Sequence, residues 1–136
     1  MASERIATQG NGKARVRYMV NAVEPAVAFY TQHLGFTAKP GATPNFAMLS
    51  RGNLELILST PFGPGSAARP ALDGRKAEPG GWNRMILDVD NLQGEIERLR
   101  QANLRFRSDV MTGVGGSQIL LEDPSGNPVE LFQPAS

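Results

Sequence analysis

Two stretches of this chain repeat one order of apolar and polar positions. Val16, Tyr18 and Val20 alternate with Arg15, Arg17, Met19 and Asn21, which is the period of a half-buried strand. Val23, Val27, Tyr30 and Leu34 then recur at helical spacing. Pro25 suits the first turn of that helix, where its fixed φ fits and its missing N–H costs nothing. Gly35 supplies a left-handed stop. Short strands are predicted at residues 36–39, 46–50 and 54–59, the last two joined by Arg51-Gly52-Asn53. The second stretch opens with a predicted strand at residues 84–89, with Met85, Leu87 and Val89 on one face. Asp90 is placed to cap the next helix, with Gln93 at the reciprocal position. Leu92, Ile96 and Leu99 form its buried stripe, and Asn103 stands where Gly35 stood. Strands at 106–111, 117–122 and 128–133 follow, with Asp123-Pro124-Ser125-Gly126-Asn127 as the last turn.

The spacing makes the repeat specific. Arg15 and Arg84 lie 69 positions apart, and the same offset carries Val16 to Met85, Tyr18 to Leu87 and Val23 to Leu92. Gly52-Asn53-Leu54-Glu55-Leu56 is echoed by Gly126-Asn127-Pro128-Val129-Glu130-Leu131, where the Glu-to-Glu offset has grown to 75. The expectation is an α+β domain of two βαβββ modules, residues 14–60 and 83–136. Residues 61–82, rich in Pro, Gly and Ala without a period, read as a linker or mobile flap closed by Trp82 as a hydrophobic anchor. Residues 1–13 read as a flexible polar arm.

Composition narrows the chemistry. The net charge of +1 argues against nucleic acid or an anionic membrane as the main partner. With no cysteine, disulfides, thiolate catalysis and sulfur-ligated metals are excluded, which fits a reducing compartment. The first residues lack the apolar stretch of a secretory signal, and no apolar run approaches the roughly 20 residues that span a bilayer. A cytoplasmic protein is expected. The one histidine, His33, falls within the first helix, away from the strand faces.

Val27-Ala28-Phe29-Tyr30-Thr31-Gln32-His33-Leu34-Gly35-Phe36 and Asp123-Pro124-Ser125-Gly126-Asn127-Pro128-Val129-Glu130-Leu131 resemble the "FY…LGF" and "DP-D-GN-hEL" segments of the vicinal-oxygen-chelate superfamily, which includes glyoxalases, bleomycin-resistance proteins and dioxygenases. The resemblance spans residues 14–133. It implies mixed curved sheets that form a half-open barrel around a cavity, with the helices on the convex side. The positions of its metal ligands, at the start of each first strand and within each last strand, fall on Arg15, Arg84, Glu55 and Glu130. A guanidinium has no lone pair to donate and stays protonated at physiological pH. No metal and no other cofactor is therefore expected, and Arg15 and Arg84 are expected to supply the positive charge by pairing with Glu55 and Glu130.

The leading expectation is a metal-independent small-molecule binding protein of the bleomycin-resistance type. Its cavity is lined by Arg15, Arg17, Met19, Phe46, Met48, Glu55, Ile57, Arg84, Ile86, Glu130 and Phe132, suited to a partly apolar, anionic or carbonyl-rich ligand. A homodimer is implied by the resemblance and by sheet edges that need cover. The alternative is a lyase, isomerase or dioxygenase of the same superfamily, metal-free or with an atypical carboxylate metal site. Glu55 or Glu130 is then the candidate general base, weakened by its arginine. A third reading makes the Arg and Glu residues a purely structural ion network.

Overall fold

The alternation around Val16 and Tyr18 becomes strand β1, Ala14–Met19, in a computed structural model that describes residues 12–136. Residues 1–11 of the predicted arm lie outside the described residues. Helix α1, Val23–His33, follows and is stopped by Gly35 at φ +74°. It buries Val23, Ala26, Phe29 and Tyr30, whereas Val27 of the predicted stripe is only half-buried. The aromatic pair takes the deeper positions, with the Tyr30 ring edge-on to Phe29 at 4.9 Å and to Phe36 at 5.5 Å. Strands β2 (Thr37–Ala38), β3 (Phe46–Arg51) and β4 (Leu54–Ser59) complete the first module. Its sheet has the order β1-β4-β3-β2, with β1 parallel to β4 and the other pairs antiparallel.

The second module runs β5 (Met85–Asp88), α2 (Leu92–Gln101), β6 (Arg105–Phe106), β7 (Met111–Gly113), β8 (Gly116–Glu122) and β9 (Pro128–Pro134). The strand predicted at 106–111 is two pieces, both on the outer edge of β8. Between them the Ser108 hydroxyl accepts the Leu120 N–H at 2.9 Å, so a side chain replaces one rung of the ladder and the edge strand breaks. The helix cap also differs from expectation. Asn91, not Asp90, caps α2 by accepting the Gly94 N–H at 3.1 Å. Glycine leaves room for this, since a Cβ at residue 94 would lie 2.6 Å from the Asn91 amide nitrogen. The reciprocal role proposed for Gln93 is not used; the Leu92 N–H donates instead to Gln133 Oε1 at 2.8 Å. Asn103 takes its left-handed position at φ 60°.

Residues 61–82 contain one turn of 3-10 helix, Ser66–Ala68, and no strand. Trp82 is 67% exposed. Instead of being buried, it is held by the Arg107 guanidinium, which sits 4.6 Å above its ring and donates to the neighbouring Gly81 carbonyl at 2.6 Å. One hydrophobic core serves both modules. Leu49, Leu56 and Leu58 meet Ile119, Leu121 and Leu131 beneath Tyr30, Ile96 and Leu99 of the helices. The curved sheets stay separate and do not close into a barrel. No helix among the described residues is long and apolar enough to cross a membrane.

Candidate functional site

With one strand face committed to the core, register determines which side chains share the other. On the first sheet, Arg15, Glu55 and Ser50 form one row, Arg17, Ile57 and Met48 the next, and Met19, Ser59 and Phe46 the third. On the second sheet the rows are Ile86, Glu130 and Leu120, then Asp88, Phe132 and Gln118. All eleven residues expected to line a cavity thus lie on these faces except Arg84, which precedes β5.

The two sheets treat their buried glutamates differently. Glu55 faces Arg15 directly in register, with Arg15 Nε 3.3 Å from its carboxylate. Lys39 donates to the same carboxylate, and Lys13 lies 3.5 Å away. The hydrogen bond from Lys39 holds the Glu55 carboxyl below its ordinary pKa; burial opposes this, and the charges of Lys39 and Lys13 reinforce it. In the second sheet the residue facing Glu130 is Ile86, 57% exposed. Arg84 reaches Glu130 diagonally, from Nε at 3.0 Å and Nη2 at 2.9 Å. Both expected Arg–Glu pairs form, but the second is displaced by two residues, so the 69-residue offset does not carry the pairing register across the repeat. Among the described residues, no ion pair joins the two groups. Lys13 and Lys39 were not foreseen as partners of Glu55; the signal available was a lysine at each end of the segments flanking β1 and β2.

Two open hollows lie along this side. One, about 350 Å³, is lined by Arg17, Met19, Glu78, Asn83, Arg84 and Asn127 among others, where β1 and β5 approach each other. The other, about 480 Å³, gathers Arg17, Phe46, Ser59 and Thr60 beneath residues 63–68. Arg15, Met48, Glu55, Ile57, Ile86, Glu130 and Phe132 line neither. Sequence reasoning missed Ser59. It is 3% exposed and its hydroxyl has no hydrogen-bond partner among the described residues, a deficit that costs about 1–3 kcal/mol when left unmet.

Polar groups also join the modules. Tyr18 donates to the Pro128 carbonyl at 2.8 Å and accepts the Met85 N–H at 2.9 Å. Asn127 donates to the Met19 carbonyl at 2.8 Å and accepts the Gly80 N–H at 2.7 Å. Burial pushes the Tyr18 phenol up to about 12 despite the donation from Met85. Burial also raises the Tyr30 phenol well above its ordinary value, helped by the adjacent Asp123 charge. Among the described residues, no three His, Cys, Asp or Glu side chains come together in a metal-binding group.

Paired βαβββ-type modules over a common core, with the other face of each sheet carrying mixed polar and apolar rows, define a glyoxalase-like fold. The profile of the Glyoxalase/Bleomycin resistance protein/Dioxygenase superfamily matches residues 13–131, and the chain belongs to that superfamily. Comparison with curated proteins gave no match. Among solved structures, the lactoylglutathione lyase of Agrobacterium tumefaciens superimposes with a TM-score of 0.70 at 15% identity, covering 91% of this chain and 94% of that one. A superfamily member from Sphaerobacter thermophilus gives 0.71 at 20% identity, covering 93% and 98%. TnmS3, an antibiotic-binding protein from a Streptomyces species, gives 0.68 at 21% identity, with the same coverage. These likenesses establish the fold.

Proposed function

We propose that the chain is a metal-independent binding protein that holds a partly apolar organic anion in the hollows beside β1, and that it works as a homodimer in the cytoplasm. The observation that carries this reading is the state of the two glutamates. Glu55 is engaged by Lys39, Arg15 and Lys13, and Glu130 by Arg84. A divalent cation there would displace those cations or face them at close range in a partly dry site, a repulsion of several kcal/mol. The donor set does not fit a metal ion. A carboxylate whose pKa is held down, as at Glu55, is also a weak general base, which counts against a metal-free enzyme. Exposed Ile86 and Met111 and the outer edges β2, β6 and β7 support a second copy as cover. The lack of cysteine supports a reducing compartment.

The test is elemental analysis of purified protein with and without added Mn, Ni, Zn and Fe(II), followed by a thermal-shift screen of organic acids and aromatic drugs. The expected result is no stoichiometric metal and stabilisation by a subset of the anions. One tightly held metal per chain, or turnover of a bound compound, replaces the binding reading with the enzyme. The lactoylglutathione lyase likeness keeps that second reading specific, since its substrate type belongs in the same screen.

A further inference from the structure

Of the three arginines expected on the cavity face, two are already engaged. Arg15 is engaged by Glu55 and Arg84 by Glu130. Arg17 is exposed and makes no hydrogen bond or ion pair among the described residues. The acid diagonal to it in register, Glu55, is held by Lys39, Arg15 and Lys13. Arg17 also lines both hollows.

We propose that Arg17, Ser59 and Phe46 form an anion subsite under residues 63–68 that receives the carboxylate or sulfonate of an aromatic ligand. This rests on the binding-protein reading and specifies its chemistry. A guanidinium offers a planar fork of donors that matches a carboxylate or sulfonate. One row along, the Ser59 hydroxyl is a second donor with no partner among the described residues. Phe46, 38% exposed and facing Ser59 in register, offers a ring face to an aromatic body. The roof is a built wall. Thr60 donates through its hydroxyl to Asn45 Oδ1 at 2.7 Å and through its N–H to the Asn45 carbonyl at 3.1 Å. Gly63 packs so close to Asn45 that an added Cβ would fall 2.6 Å from its side-chain carbon. Positive charge, an unsatisfied hydroxyl and an aromatic face thus converge where no carboxylate of the described residues is bound to the arginine.

Two fluorescent probes with one aromatic skeleton test the assignment: anilinonaphthalene sulfonate and its uncharged parent, phenylnaphthylamine. Wild type is expected to bind the anion about tenfold or more tightly than the neutral probe, the size of a charge-assisted hydrogen bond. Arg17→Met should erase that preference while leaving the neutral probe's affinity within about twofold. Ser59→Ala should weaken the anion alone by about threefold. Phe46→Ala should weaken both probes. Arg17 is exposed, so its replacement leaves the fold intact, and unchanged unfolding midpoints verify this. A preference that survives Arg17→Met but vanishes in Arg84→Met overturns the subsite and keeps the cavity. Equal binding of both probes by wild type also overturns the subsite. Failure of both probes to bind overturns the subsite alone, because the binding-protein reading stands or falls on the metal analysis and the organic-anion screen.

Discussion

Tyr30 donates its hydroxyl proton to Asp123, 93 positions further along the chain, at 2.8 Å. The bond ties the first helix to the last turn of the second module. Asp123 is 2% exposed and also accepts the N–H groups of Ser125 and Asn127, each at 2.9 Å, and the Asn127 amide at 3.0 Å. The two segments that carry the family resemblance therefore meet as architecture on the core side, and only Asn127 of the second also lines one of the two hollows.

Replacing Tyr30 with Phe keeps the ring and deletes one of the four donors to a buried carboxylate. The expected loss is about 1–3 kcal/mol, the cost of leaving such a group short of a partner. Urea unfolding should show a lower midpoint at unchanged slope. An unchanged midpoint means that the bond does not contribute to stability.

The chain's two tyrosines are both buried with raised phenol pKa values. In the unfolded chain they ionise near 10. A folded pKa raised above the unfolded one contributes stability that is complete below pH about 10 and is lost as pH rises through the folded value, toward about 12 for Tyr18. Native protein should therefore show no tyrosinate absorbance near pH 10, and the signal should rise together with loss of circular dichroism. Tyrosinate forming in a still-native spectrum contradicts this.

Glu55 has the opposite sign. Its folded pKa is depressed by Lys39 first and by Lys13 as well, so its contribution is present above the ordinary carboxyl pKa and lost as pH falls through the folded value. Glu55→Gln should flatten the acid limb of the stability–pH profile. An acid limb of unchanged slope assigns acid sensitivity to other carboxylates.

The alternation of Val16 and Tyr18 with Arg15 and Arg17, and the helical recurrence of Ile96 and Leu99, were legible because one face of each element is committed to a single core. Gly35 and Asn103 were legible because few residues adopt a positive φ at a helix end. The break between β6 and β7 was not, since the Ser108 side chain displaces a backbone rung and leaves the apolar pattern intact. The shift of Arg84 by two residues was also hidden. Composition and spacing match Arg15, and only the pairing of β5 with β9 shows that Ile86 takes the facing position. Which arginine lacks an acid was hidden as well, because Glu55, diagonal to Arg17, is taken up by Arg15 and by Lys13 and Lys39 from outside β1.

Gly116 begins β8 at φ +149°, and a Cβ there would fall 2.2 Å from the Gln133 carbonyl oxygen and 3.0 Å from the Pro134 Cα. Both neighbours are backbone of the paired strand β9 and cannot swing aside. Gly116→Ala should cost about 2–4 kcal/mol through strain and overpacking. Gly115→Ala meets only the Phe132 ring at 3.9 Å and should be far milder. Equal midpoints for the two variants contradict the steric argument.

The two arginines should differ when each is removed. The Glu130 side chain is 5% exposed, and Arg84, its one cation among the described residues, is only 26% exposed. Arg84→Met leaves a buried carboxylate without its charge partner, and about 2–4 kcal/mol should be lost, somewhat below the cost for a fully buried pair because the arginine keeps some contact with water. Adding Glu130→Leu removes the stranded charge and should recover most of the loss. Arg15 is 52% exposed, and Lys39 and Lys13 remain on Glu55 when it goes, so Arg15→Met should have a much smaller effect. Denaturant unfolding of the three variants decides the matter. A double variant no more stable than Arg84→Met shows that the Arg84 stem holds the β1–β5 junction by packing, not by neutralising Glu130.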